Sequence, residues 1–396
     1  MDGHQPELFH PGVWLKNFVL AGLARAHNAL ALHLVVDNDT IKSTSLRMPG
    51  GEPIPFDRWT GEQPWEERAL HDPDLFASFP QRLRAALAPW NIAPLAEPLW
   101  AALPTTGPLG ERFSVARRSL ERAWGCANVE LPLSRVCETP SFQHFVTQLE
   151  HDAPHFAAVY NAAVRSYRQR NKIKSRNHPV PDLEQQGDWT ELPLWTWDPG
   201  AKQRERLFVR PNGDRRPKRA RVRSRALLTT LYARLYLADV FVHGIGGGIY
   251  DELTDEIILN YYGVTPPGYM VVSGTRLLPL PRSGVDRDDW RRVWRRVRDL
   301  TYQPERFVGP EMAQLIAERK AVLAEPPSRA MFARQRKLLE QIARPLAEQR
   351  AAARRELQHI EATLARESRL HRRDYSLALF PEELLRPWLT AWLNWE

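Results

Sequence analysis

An α/β fold is what this 396-residue sequence predicts, and three observations carry that expectation. An apolar-periodic run at 13–26 leads into ALHLVV at 31–36, so a helix is followed by a buried strand that ends in Asp37, Asn38 and Asp39. A second apolar segment at 238–242 runs into HGIGGG at 243–248 and then into another amphipathic stretch. Beyond residue 310 a narrow stripe of Leu339, Ile342, Leu346, Ala353, Leu357, Ile360 and Leu364 stands among Arg, Glu and Gln, the pattern of a helical arm.

In chain order, Gly and Pro punctuate residues 3–12, and the helix over 13–26 and the strand over 31–36 follow. Residues 49–110 mix many of the 33 prolines with Trp and Leu and read as an irregular insertion. Aromatic and aliphatic residues at three- and four-residue spacings over 141–172, interrupted by Pro154, predict a helix pair. Residues 176–217 read as loop with short strands, and Leu227, Leu228, Leu231 and Leu235 as a helix face. The next helix is expected over 251–262, with two closing strands at 269–273 and 276–280. Pro345 should break the arm into a hairpin or a kinked helix. The expected division is a core at 1–310, an arm at 311–370, and a tail at 371–396 whose Trp388, Trp392 and Trp395 dock back on the core.

A hydrophobic fraction of 43% with 26% charged residues suits a chain that buries a sizeable core. No run approaches the ~18 apolar residues of a membrane span, and Asp2 and His4 stand where a signal peptide carries basic residues; a cytoplasmic protein without membrane contact is expected. Cys126 and Cys137 are too few for a disulfide framework, and no zinc motif occurs. The net charge of +8 would suit nucleic acid or an anionic small molecule. The densest basic run, RRPKRARVRSR at 215–225, lacks the interleaved aromatics of a nucleic-acid surface, and nucleic acid is not an expected partner of the protein.

Four groups of residues point to chemistry. Gly3, His4 and Gln5, with the turn at 10–12 before a helix, could hold phosphate on backbone amides, and His4 could stabilise charge in group transfer. Asp37, Asn38 and Asp39 stand where open α/β sheets bind ligands, and could hold an amine or Mg²⁺. His243, Gly244, Gly246, Gly247 and Gly248 form an anion-type glycine loop before a helix opening at Asp251, although they complete neither GxGxxG nor a P-loop. Asn177, His178 and Asp182 could line a pocket with His178 as acid or base, near Glu130, Ser134, Arg135 and Glu138. Arg225, at the start of an apolar helix, is the member of the basic run placed nearest a substrate.

Taken in order, GHQPELFHPG, a strand ending in acidic residues, an arginine before an apolar helix, and a glycine loop leading into YDELTDEIILNYYGVTPPGYMVVSGT resemble the bacillithiol cysteine-adding enzyme family. The matching positions are Gly3, Gln5, Leu8 and the turn at 10–12, then Asp37 and Asp39, then Gly246 and Gly247. His4 replaces a glutamine of that pattern, the acidic segment is shortened, and HGIGGGIYDE replaces YVGGPGE. The resemblance implies a Rossmann-like core related to the nucleotidyltransferase ligases, with insertions and a C-terminal coiled-coil arm that forms a homodimer.

The function this implies is an amide-forming, ligase-like enzyme that adds an amino acid, cysteine in the family reaction, to a small amine- or sugar-bearing acceptor. His4, Asp37, Asp39 and His178 are then the expected catalytic residues. Gly3, Gln5, His243, Gly244, Gly246, Gly247 and Gly248 bind the cofactor, for which ATP or ADP with Mg²⁺ is compatible. Asn38, Asn177, Arg225 and Asp251 contact the substrate. The alternatives are a nucleotidyltransferase without ligation and a noncatalytic nucleic-acid-binding protein.

Overall fold

The computed structural model describes residues 1–394 and divides into two compact units, Met1–Leu278 with Arg373–Glu396, and Pro279–Arg372. The first unit runs β1 (Asp2–His4), α1 (Pro11–Ala26), β2 (Leu32–Val35), α2 (Leu109–Ala123), β3 (Val129–Pro132), α3 (Pro140–His151), α4 (Ala153–Arg170), β4 (Trp189–Trp197), β5 (Glu205–Val209), β6 (Arg221–Ser224), α5 (Ala226–Tyr232), β7 (Phe241–His243), α6 (Ile245–Ile257) and β8 (Tyr269–Val271). Five of these strands form a parallel sheet in the order β8-β7-β1-β2-β3, with Asp2 opposite both His33 and Val242. The chain winds from β1 outward to β2 and β3, then returns to the other side for β7 and β8. The order therefore reverses between β1 and β7, and the loops leaving their carboxyl ends part around a crevice.

A second, antiparallel sheet carries β6, β4 and β5 side by side, with Arg215–Arg216 on its edge. Its register slips between Leu192 and Trp195. Pro193 explains the slip: proline has no N–H for the ladder and is tolerated in a strand at a bulge, and here its carbonyl accepts from Arg225 N at 2.9 Å. The apolar faces of α3, α4 and α5, with Phe142, Phe145, Phe156, Leu227 and Leu231, share one core with Leu34 of the parallel sheet and Leu192, Leu194 and Leu207 of the antiparallel one. Each such side chain contributes roughly 1.5–3 kcal/mol by leaving water.

Several expectations change on contact with the structure. The helix expected from 251 begins at Ile245, so glycines 246–248 are its first turns rather than a loop. The strand at Tyr269–Val271 is present, but residues 276–280 form none. The Pro-rich insertion is partly helical, with Pro73–Ala77, Phe79–Leu87 and Ala96–Ala101 as helices. Proline occupies the first turn of the first two, where its missing N–H costs nothing. The loop expected over 176–217 holds the nine-residue β4.

The second unit begins at Pro279, ahead of the expected arm, and contains α7 (Arg287–Tyr302), α8 (Ala313–Leu323), α9 (Arg329–Ala343) and α10 (Ala347–Leu370). Arg344–Leu346 make a single 3₁₀ turn between α9 and α10, the break expected of Pro345. The chain does not close there into a hairpin of α9 on α10: α10 packs along α7, and α8 along α9. Ala353 meets Leu300 and Leu346 in a small core, so the predicted stripe is occupied within the unit. The tail belongs to the first unit: Leu377 N donates to Phe9 O, Leu95 N donates to Phe380 O, and α11 (Glu382–Thr390) packs on α1. Trp395 lies outside the described residues.

Candidate active site

A cavity of about 740 Å³ opens at the carboxyl ends of the parallel strands. Its wall is made by the loops after β1, β2, β7 and β8, the first turns of α1 and α6, and Trp195, Arg204, Arg206 and Arg225 of the antiparallel sheet and its ends. Lys16, Arg204, Arg206, Arg225 and Arg373 line it against a single carboxylate, Asp39. That imbalance favours an anionic guest.

The α1 corner is held by a close backbone approach. His10 caps α1 by accepting from Gly12 N at 3.1 Å, and a Cβ on Gly12 would stand 2.2 Å from Gly274 O. Gly12 is therefore a steric requirement where the loop after β8 crosses the helix start. At the opposite corner Gly244 begins α6 with no side-chain cap and no acidic residue in the first turn. Its free N–H groups and the positive helix end face the cavity wall formed by residues 244–247.

His243 leaves β7 directly into this corner. Its Nε2 lies 2.9 Å from Asp251 Oδ2, and Arg234 donates to the same oxygen at 2.7 Å. Asp251 is thus a buried anchor that orients the imidazole and holds no place on the cavity wall. Nδ1 is directed toward Gly247, where an added Cβ would stand 2.7 Å away. With Nε2–H donating to Asp251, Nδ1 is left as an acceptor. Gly248 instead packs beside Val271, where a Cβ would come within 2.4 Å.

On the β2 side, Gln5 Nε2 donates to Asp39 Oδ2 at 3.0 Å, and Arg204 lies 3.3 Å from Asp39 Oδ1. Asn38 Nδ2 donates to Ser224 O at 2.7 Å, tying the β2 loop to the antiparallel sheet. Two guanidiniums lie over the Trp195 ring, Arg225 at 4.1 Å and Arg204 at 4.8 Å from its centre. Arg225 donates to Glu191 at 2.7 Å, while its Nε and Nη2 are buried with no hydrogen-bond partner.

A buried polar layer backs the cavity, and its His4 and Lys16 reach the wall. His4 Nδ1 is 3.0 Å from Gln5 O and Nε2 is 3.1 Å from Asn17 Oδ1. Asn17 in turn donates to Glu121, which also receives Trp14 Nε1 and Arg117. Burial, then the neighbouring His33, Arg117 and Lys16, hold His4 well below the ordinary imidazole range, so the ring is neutral at physiological pH. Asp2 and His33 pair at 2.6 Å in full burial, leaving Asp2 Oδ2 and His33 Nε2 without partners. Asp2, His4 and His33 are close enough together to hold a metal ion, although Lys16 and Arg117 beside them oppose a cation.

The remaining expected site residues lie elsewhere. Asp37 turns away from the cavity and accepts from Ser134 N at 2.8 Å and Ser134 Oγ at 2.5 Å. Asn177 and His178 are exposed and do not line the cavity, although Val180 and Pro181 of the same loop do, and the His178 ring stands edge-on to Tyr250. Both cysteines are buried thiols, and burial pushes Cys137 up to about 12, which removes it as a nucleophile. Trp195, Arg204 and Arg206 are cavity residues that the sequence did not single out; WTW followed by RER is an alternation of aromatic and basic residues that could have marked them.

Five of the seven cations in the basic run at 215–225 are paired with carboxylates. Arg215 pairs with Glu150, Arg219 with Glu205, Arg221 with Glu138, Arg223 with Glu66 and Arg225 with Glu191. Among the described residues no helix is long and apolar enough to cross a membrane. No family model matches the chain and no curated protein matches it, so what the cavity does must come from its own residues.

Proposed function

We propose that the first unit is a Rossmann-like, nucleotide-binding enzyme of the amide-forming ligase type, with ATP or ADP in the cavity between β1 and β7. The observation that carries this reading is the wall itself: five cationic side chains against one carboxylate, at the point where the strand order reverses and the uncapped start of α6 supplies backbone donors. The volume suits a nucleotide, within the roughly 300–1,000 Å³ of small-molecule sites. The order of the Gly3–Gln5, Asp39 and Gly246–Gly247 segments along the chain supports the ligase class.

In this reading the phosphates lie at residues 244–247 and the Trp195–Arg204–Arg225 cluster receives the flat or anionic part of the partner substrate. Asp39, oriented by Gln5 and Arg204, holds the incoming amine or a Mg²⁺ ion. In amide formation the amine attacks a carboxyl that ATP has activated as an acyl phosphate or acyl adenylate, the C–N bond forming as the C–O bond to the phosphoryl group breaks and phosphate or AMP leaves; we assign the amine's proton to His243, whose tautomer Asp251 would fix. Asp37 and His178 have no part in this chemistry.

Calorimetric titration of the purified chain with ATP and ADP tests the proposal. Binding is expected at sub-millimolar concentration, lost in Gly247→Val, whose side chain would collide with His243, and kept in Gly246→Ala, where an added Cβ meets nothing within 4 Å. No heat with either nucleotide at millimolar concentration would overturn it, as would unaltered binding in Gly247→Val.

A further inference from the structure

The net charge of the molecule is carried by one unit. Residues 279–372 contain 21 Lys and Arg against 13 Asp and Glu, a surplus equal to the whole protein's +8, while the rest of the chain holds 34 of each. Within that unit α7, RDDWRRVWRRVRDLTY, carries six Arg against three Asp, a surplus that α9 matches with four cations against one Glu. Arg291, Arg292, Arg295 and Arg296, with Asp288, Asp299 and Phe307, border a shallow groove of about 550 Å³, four cations against two carboxylates. Arg291 meets only the exposed Asp288 and Arg292 the half-buried Asp289, each one turn back, Arg296 reaches Glu356 at 3.9 Å, and Arg295 has no carboxylate partner among the described residues. Exposed pairs of this kind are weak and exchange readily for a phosphate.

Aromatic rings stand among these guanidiniums. Trp294 and Phe307 are each 41% exposed, Trp290 lies nearly parallel to Trp294 with ring centres 5.9 Å apart, and the Arg298 guanidinium is 5.9 Å from the Trp294 ring centre. Aromatic faces among basic side chains are what a flexible single strand uses, bases stacking while phosphates track the charge. The inward face of α7 is already covered, Leu300 and Val297 packing with Leu346 and Ala353. An interfacial membrane helix needs that apolar face free, so charge and rings are what α7 offers a partner.

We infer that the groove along α7 in the second unit binds single-stranded nucleic acid, with Arg291, Arg292, Arg295 and Arg296 on phosphates and Trp294 stacking on a base. This interaction is separate from nucleotide binding in the first unit and stands whether or not that reading holds.

The test is fluorescence anisotropy of a labelled 20-nucleotide oligo-uridine with the full chain across a potassium chloride series. Three to four phosphate contacts should give a slope of log K on log salt of about −2 to −3. R291Q/R295Q and R292Q/R296Q should each flatten that slope. Trp294→Ala, at unchanged charge, should weaken binding by about tenfold, and circular dichroism should show each variant folded. No binding at low salt would overturn the inference, as would a slope that neither double variant alters. Affinity for inorganic polyphosphate equal to that for RNA, with no loss in Trp294→Ala, would reduce the groove to bare charge and overturn it. Trp294-dependent binding to phosphatidylserine vesicles without RNA binding would replace it with a membrane surface.

Discussion

Asp37 and Asp39 stand two residues apart at the end of one strand, and their surroundings give them different work. Asp39 is solvated by the cavity and held by Gln5 and Arg204. Asp37 is enclosed: burial raises it most, Glu66 pushes the same way, and Ser134 and Arg223 only partly offset this, leaving its carboxyl at about 6. A carboxyl raised in the folded state binds its proton more tightly there than in the unfolded chain. Its contribution is fully present below the unfolded value near 4 and is lost as pH rises through about 6. A rise from 3.8 to about 6 corresponds to a full difference of about 3 kcal/mol. Urea unfolding at pH 4.5 and 7.5 should therefore show Asp37→Asn less sensitive to this change than the wild type, by on the order of 1–2 kcal/mol; equal pH dependence in both would show that Asp37 titrates normally. A position after an apolar strand marked both aspartates from sequence alone, but which one turns into the cavity depends on Ser134, 97 residues away. His178 is a related case: it precedes Pro179 and Pro181, which stiffen the backbone, but nothing local says which way the loop faces.

At the scale of elements, periodicity located helices well and misjudged their ends. The glycines at 246–248 hid the start of α6 because glycine disfavours helix interiors, yet at a helix N-terminus it leaves the backbone donors open. The bulge at Pro193 was similarly invisible, since its register is set by pairing with β5 and β6. The apolar stripe on α10 was legible, while its partner was not: a stripe shows that something covers it, and α7 lay outside the segment read as arm. Ile360 is buried and Leu357 half-buried, so Leu357→Glu with Ile360→Glu places two charges in or beside the helix packing of the unit, costing several kcal/mol if unpaired. The expected result is loss of helical signal and rapid proteolysis within 279–372, with the first unit intact. Sedimentation of a folded double variant that had merely lost a wild-type dimer would instead place the stripe between subunits.

For the molecule as a whole, the alternation of helix and strand was enough to announce an α/β chain, and the helical character beyond 310 announced a separate part. The boundary at 279 was not readable, because α7 is so rich in Arg that its apolar positions, Val293, Val297 and Leu300, are outnumbered. Each unit nevertheless has a core of its own: the first is built from both sheets and the helices α3 to α6, the second from small clusters around Leu300, Leu346 and Ala353 and around Val322, Met331 and Leu338. Separate cores should unfold as separate cooperative steps, and a ligand stabilises only the step in which its site is lost. Differential scanning calorimetry is then expected to show two transitions, the less cooperative one belonging to the helical unit with its sparse core. ATP or ADP at 100 times its dissociation constant should raise the other by about 2.7 kcal/mol and leave the helical one in place. Oligo-uridine should do the reverse. A single transition that both ligands shift would show that the two units fold as one, and a nucleotide that moves only the helical transition would place its site outside the cavity between β1 and β7.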